Sequence, residues 1–320
     1  MSDYIQYDSA AELKTTPAFK APAGAIDSHV HIFRPGRFAY APGATYHPHT
    51  MSYAMMVERN KALGLSERFL AVGATPTGDN NATIINAFEQ SQGVIRSIAT
   101  VKTGVSDGML DLMQAGGVVG LRYAWDIENE FTPPEEVIAM AERLAERSLI
   151  FALDFNGKDF ATLAPHIETL AQITRVDIDH MGRPDARQGI NGQDFVRMKK
   201  MLARNRGITV KISGFPYITK EGGIYNDVLP FALSLIQDYP DQVVWGTGAP
   251  HLNVLETLEK KMPGDAWLMD LIPYVTRTIA AQDKLLVTNP QRRYFTGELP
   301  VPPLLTQIYQ QRYERENRPG

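Results

Sequence analysis

Along most of its 320 residues the chain alternates short apolar runs with segments of helical pattern. The runs lie at 26–33, 68–75, 94–101, 118–125, 149–155, 176–181, 208–215 and 242–247. The helical segments lie at 52–63, 81–92, 106–115, 132–147, 160–173, 192–203, 225–239 and 268–281. Each run is nearly continuous in apolar residues, as in parallel sheets covered on both faces. Such βα units in series imply an α/β fold of the (β/α)8 TIM-barrel type. The rival is a doubly wound open sheet. That fold usually carries a Gly-rich phosphate turn after its first strand, where this chain has Arg34-Pro35-Gly36-Arg37. Three parts are expected: an N-terminal arm (1–23), the barrel (24–296) and a tail (297–320). The tail carries one amphipathic helix at 304–316, to be packed on the barrel or on a neighbouring subunit.

Composition removes several classes of function. A formal charge of −4 argues against bulk nucleic-acid binding. The absence of cysteine excludes disulfides, thiolate metal sites and a Cys nucleophile. No apolar run approaches the roughly 20 residues that span a bilayer. No apolar signal segment opens the chain, and a cytoplasmic location is expected. The expected partner is a small molecule, and the expected assembly is a monomer or small homo-oligomer.

In a TIM barrel, chemistry gathers at the C-terminal ends of the strands. The first run holds His29 and His31, two residues apart and so on one side of a strand, about 7 Å apart. Such a pair suits a metal or the oxygen of a polarised carbonyl. The alternative is a pair of hydrogen-bonded core histidines. Later strand ends bring Thr75 and Thr77, Lys102, Arg122, Asp154, His180, Lys211, Ser213 and His251. Four of the seven histidines therefore fall at strand ends, which chance placement would rarely produce. Tyr46 lies in a long loop after the first strand, and loops of that length often serve function. His166 falls on a surface-type helix and is expected to be bland.

The runs Ala25-Ile26-Asp27-Ser28-His29-Val30-His31-Ile32-Phe33, Gly120-Leu121-Arg122-Tyr123, Asp179-His180-Met181-Gly182-Arg183-Pro184-Asp185 and Trp245-Gly246-Thr247 with Pro250-His251 carry a family likeness. The chain resembles the amidohydrolase superfamily, and within it the amidohydrolase-2 branch. That branch contains 2-pyrone-4,6-dicarboxylate lactonase and D-galactarolactone isomerase. The resemblance implies a TIM barrel acting on an anionic lactone. It implies His29, His31 and His180 around the substrate carbonyl, with Arg122 holding a carboxylate and Tyr46, Thr75, Thr77 and Lys102 nearby.

Three departures from the branch pattern shape the functional expectation. Gly248 and Ala249 stand where the branch has Asp-Trp, and that aspartate is the lactonase's general base for water. Strand five offers Leu153-Asp154-Phe155 with no obvious bridging lysine or glutamate, which weakens a binuclear metal site. Substrate-binding arginines are missing at 127–130, which is acidic, and at 214–217. No metal is therefore expected; a mononuclear zinc on His29, His31 and His180 is the lesser alternative. Without the water base, intramolecular acyl transfer is favoured, that is, isomerisation of a sugar-acid lactone. Hydrolysis of a carboxylated lactone is the alternative, with His251 or Asp154 as the replacement base. A metal-dependent hydrolase or decarboxylase ranks below both.

Overall fold

The computed structural model describes residues 16–125, 133–221, 225–251 and 264–318. Strands β1 (Asp27–Val30), β2 (Phe69–Val72), β3 (Arg96–Thr100), β4 (Val118–Trp125), β5 (Ile150–Phe155), β6 (Val176–Ile178), β7 (Ile208–Ile212) and β8 (Val243–Trp245) form one parallel sheet in chain order. Backbone hydrogen bonds from His31 N–H to Ala249 O and from Gly248 N–H to His29 O, both 2.8 Å, bring the last strand's exit against the first strand. The sheet so closes on itself. Gly246 is needed there, because a Cβ at that position would lie 2.4 Å from the Cβ of His29.

Strand alternation sorts the apolar side chains into two sets. Leu70, Val72, Ile98, Ile150, Ala152 and Val244 fill the barrel interior. Phe69, Ala71, Ala99, Leu121, Phe151 and Leu153 point outward, into the layer beneath the helices. The interior floor is sealed by Tyr294 and Phe295. At the floor Asp177 is paired with Tyr294 and Arg293, and the other end of the barrel, where the strands finish, carries the strand-end polar side chains.

The covering helices are α1 (Tyr53–Ala62), α2 (Ala82–Gln90), α3 (Asp107–Ala115), α4 (Pro134–Glu146), α5 (Phe160–Ile173), α6 (Gln193–Arg204), the short α7 (Phe215–Ile218) and α8 (Leu229–Asp238). The single helix expected at 268–281 is broken into Asp265–Asp270, Ile272–Thr276 and Ile279–Asp283. Arg277 adopts a left-handed conformation, φ 59°, which ends the helical run. The strand expected to reach 215 stops at Ile212, and α7 takes its last residue. The tail helix, Leu305–Glu316, packs on the barrel. The Tyr309 hydroxyl accepts from the Asn81 N–H at 3.0 Å, and the Tyr313 hydroxyl donates to Asp79 at 2.7 Å. Residues 1–15 of the expected arm lie outside the described residues. No helix among the described residues is long and apolar enough to cross a membrane.

Candidate active site

Beyond β6 the backbone leaves extended geometry abruptly. His180, Met181 and Arg183 all sit at positive φ (53°, 54° and 45°), with Gly182 between them. Left-handed non-glycine residues cost roughly 1 kcal/mol or more each, so this segment is held by its packing. Asp179 and Met181 are fully buried on either side of His180. The turn carries Asp179 towards the barrel axis and brings both His180 and Arg183 to one cavity.

That cavity, of about 130 Å³, is lined by His31, Tyr46, Thr75, Arg122, Asp154, His180, Arg183, Tyr217, Gly248 and His251, among others. Most of the expected site residues therefore meet at one mouth. His29 lies one step below it. Its ring is fully buried, with centroids 5.1 Å from His31 and 4.8 Å from His180, and it does not line the cavity. Two further expectations are corrected. The Thr77 hydroxyl donates to the Ala74 carbonyl at 2.8 Å, inside a tight turn, and does not reach the cavity. Lys102 is 75% exposed, pairs with Asp79 at 2.9 Å and lines a neighbouring cleft. His166 packs against Trp125, ring centroids 5.8 Å apart and planes tilted by 56°, and does not line this cavity. The acidic stretch 127–130 lies outside the described residues.

Hydrogen bonding fixes what each imidazole presents. His31 Nδ1 is 2.9 Å from the carbonyl oxygen of Val72. A carbonyl only accepts, so Nδ1 carries the proton and Nε2 is the basic nitrogen. In its neutral form His31 therefore offers the cavity an acceptor and no donor. His251 Nε2 lies 2.6 Å from Asp265 Oδ1. The carboxylate accepts that N–H, and Nδ1 becomes the basic nitrogen. His180 Nδ1 is 2.9 Å from the Ser213 hydroxyl, which can donate to it and leave an Nε2–H for the cavity. Burial lowers the pKa of His31 to about 4 and that of His180 to about 3, so both are neutral near pH 7.

A chain of ion pairs supports the rings. Arg122 donates from Nε to Asp179 at 2.8 Å and from Nη2 to Asp154 at 2.6 Å. Arg183 donates to the same Asp154 oxygen at 2.7 Å and lies 5.0 Å above the Tyr217 ring. Lys211 Nζ, fully buried, is 3.1 Å from Asp179 Oδ1. Burial alone would raise the pKa of both carboxyls. Arg183 and Arg122 outweigh it at Asp154, and Lys211 and Arg122 outweigh it at Asp179, so both stay ionised. Arg122, Arg183 and Lys211 thus face Asp154 and Asp179, three cations against two carboxylates in this chain of ion pairs. That balance suits an anion.

Behind His251 runs a second buried network. Arg59 donates to Asp265 at 2.5 Å, to Asp27 at 3.1 Å and to Thr247 at 2.6 Å. Burial would raise the Asp265 pKa, but Arg59 and His251 hold it below the usual carboxylate range.

The amidohydrolase family profile matches residues 26–296, the whole span of these strands and their site. The chain belongs to the amidohydrolase family. This amidohydrolase is 36% identical over 293 residues to a 2-pyrone-4,6-dicarboxylate hydrolase of Comamonas testosteroni, covering 88% of this chain and 94% of the relative. It is 25% identical over 279 residues to a D-galactarolactone isomerase of Agrobacterium fabrum, covering 86% and 91%. The crystal structure of a probable 2-pyrone-4,6-dicarboxylic acid hydrolase from Acinetobacter baumannii, with citric acid bound, matches its fold with a TM-score of 0.71. The match has 20% identity and covers 85% of this chain and all of the other.

The site also contains a donor set of the kind that binds metal ions. His29, Asp179 and His180 offer ligand atoms within 4.8 Å of one another, a spacing that could hold an ion. Both ring nitrogens of His29 are buried without hydrogen-bond partners. His31, part of the expected zinc set, is not in this cluster. The charges oppose an ion: the cluster's one carboxylate already faces Lys211 and Arg122. A dication about 4 Å from one of these cations would meet roughly 8 kcal/mol of repulsion at an effective dielectric of 20. Lys211 and Arg122 thus compete with a divalent ion for that carboxylate.

The buried imidazoles also predict acid sensitivity. A histidine held neutral in the fold but titrating near 6.5 when unfolded costs stability as pH falls below 6.5, until its folded pKa is reached. For His31 that window runs from 6.5 to about 4. Each pH unit within it costs up to about 1.4 kcal/mol per histidine. Thermal melts should be flat above pH 7 and fall steadily from pH 6.5 to 4.5. An unchanged Tm between pH 7 and 5 would contradict the buried neutral assignment.

Proposed function

We propose that the protein hydrolyses an anionic lactone, without a metal, using His251 as general base. The observation that carries this reading is the placement of His251 beside Gly248. A Cβ at 248 would lie 3.7 Å from both Nδ1 and Cε1 of His251, so the imidazole's basic edge borders the place where the branch has its catalytic aspartate. Asp265 fixes the tautomer that makes Nδ1 the acceptor. Asp154, the other expected base, takes two arginines on its Oδ2, and they hold its pKa below the ordinary carboxylate value, which makes it a weak base.

In the proposed reaction, Arg122 and Arg183 receive the substrate's carboxylate and the Nε2–H of His180 faces the lactone carbonyl. Water attacks the carbonyl carbon as His251 Nδ1 takes its proton. The tetrahedral oxyanion is held by His180 and the positive field of the arginines. Collapse breaks the ring C–O bond, and the proton held on His251 passes to the departing ring oxygen. The product is a ring-opened hydroxy acid whose new carboxyl group releases its remaining proton to solvent at neutral pH. The 36%-identical relative's name, a pyrone-dicarboxylate hydrolase, supports hydrolysis.

One observation favours isomerisation as a second reading: Gly248 removes the aspartate that activates water in the lactonases. A substrate hydroxyl could then take the place of water, as the name of the isomerase relative suggests. Turnover in 18O-water with pyrone and aldarate lactones separates the two. Hydrolysis places one 18O in the product carboxylate, whereas isomerisation exchanges rings and incorporates none.

Restoring the carboxylate gives a further test. Gly248 sits at φ 82°, so Gly248→Asp carries backbone strain of about 1 kcal/mol and a lower Tm. A grafted base without tuned surroundings falls well below the ~10²–10⁴-fold worth of a native one. A rise in ring-opened product of less than about 10-fold is expected, read by NMR. A fall in hydrolysis would mean that the new side chain displaces the water from His251.

A further inference from the structure

We propose that Lys211 stands in for a metal ion, its ammonium neutralising Asp179 and so keeping the His29, Asp179 and His180 cluster from taking up a divalent cation. The inference rests on the metal-free reading above, but not on which nucleophile attacks the lactone.

Four strands converge to make the arrangement. His29 comes from β1, Arg122 from β4, Asp179 from the end of β6 and Lys211 from β7. Lys211 and Asp179 are both fully buried, and the cluster contains a single carboxylate. Its Oδ1 faces Lys211 at 3.1 Å and its Oδ2 faces Arg122 at 2.8 Å. The ammonium of Lys211 has no hydrogen-bonded acceptor, so the ion pair with Asp179 is what compensates its burial. A buried cation retained on such terms is expensive unless its charge is needed. Lysine supplies a compact point charge, closer to a bare ion than the planar arginine fork is. The two nitrogens of His29 add to the case. They are buried without hydrogen-bond partners, as ligand nitrogens are before an ion arrives.

Removing the ammonium should therefore expose a latent metal site. Lys211→Met leaves Asp179 with one cation and frees Oδ1. His29, His180 and Asp179 would then make three protein ligands with an open position, a set that suits zinc. The test is metal content after equilibration with zinc and exhaustive dialysis. It is read with the visible absorption of the cobalt-loaded protein and with Tm at each step. Wild type should retain less than about 0.1 equivalent, and Lys211→Met about one, with a cobalt spectrum of four- or five-coordinate type. Zinc should raise the Tm of the variant and leave that of wild type unchanged. His180→Ala in the Lys211→Met background should abolish the gain.

Lys211→Gln provides a second, polar replacement with the same expectations. A variant that is soluble only when zinc is supplied supports the proposal, since zinc then replaces the missing cation. Failure of both variants to fold even with zinc overturns it. Folded variants that take up no zinc overturn the role of Lys211 alone and leave the metal-free reading intact. Stoichiometric zinc in wild type, lost on His180→Ala, overturns both.

Discussion

Asparagine in place of His251 is expected to slow lactone turnover by about 10²–10⁴-fold, the usual worth of a positioned general base. The loss should fall on kcat with little change in KM, because the anion partners proposed above are Arg122 and Arg183, which also line the cavity. Asparagine keeps a polar amide near where Nδ1 stood, and Asp265 keeps its pair with Arg59, so folding should survive. Asp265→Asn is expected to behave differently. It leaves the imidazole in place but frees its tautomer, and it also breaks the buried pair with Arg59. Both kcat and Tm should drop. A His251→Asn protein within about tenfold of wild type would remove His251 as the base. His31, which also presents a basic Nε2, would then be the next candidate.

That contrast shows where sequence reading stops. The barrel was legible because its signal is repetitive: buried runs alternating with helices, each pair reinforcing the next. The strand-end rule then placed His31, Arg122, His180 and His251 at one mouth without any knowledge of contacts. The same rule overshot at Thr77 and Lys102. It says which end of the barrel a residue occupies, but not whether a tight turn points the side chain back at its own backbone. The roles of the imidazoles were not legible at all. His31 presents an acceptor only because the Val72 carbonyl, on the neighbouring strand, accepts the Nδ1–H. Asp265 carried no visible signal, since it opens a helix well past the last strand. Lys211 and Asp179 were both visible at strand ends. Their pairing depends on β6 and β7 being neighbours with side chains turned inward, which the barrel's closure supplies.

Arg122 is the position where substitution should be most disruptive, and for two separable reasons. The sequence marked it as a substrate anchor, and the structure adds a scaffold role, since it bridges Asp154 and Asp179. Breaking a buried ion pair from one side costs about 3–5 kcal/mol, because the other charge stays behind in a poor solvent. Asp154 keeps Arg183 and Asp179 keeps Lys211, so Arg122→Met should lie at the lower end, near 3 kcal/mol. Loss of the charge-assisted contact to substrate should take a further ~2–4 kcal/mol from kcat/KM, mostly as a higher KM. A second substitution separates the two effects. In Arg122→Met/Asp154→Asn the stranded carboxylate is gone, so much of the stability should return, as measured by urea unfolding. The raised KM should persist, because the missing guanidinium is what the substrate anion meets. If stability and KM recover together, Arg122 serves only as a scaffold and Arg183 is left as the anion's principal partner. If neither recovers, the stranded carboxylate is not what unfolds the single variant, and the lost packing of the arginine stem is.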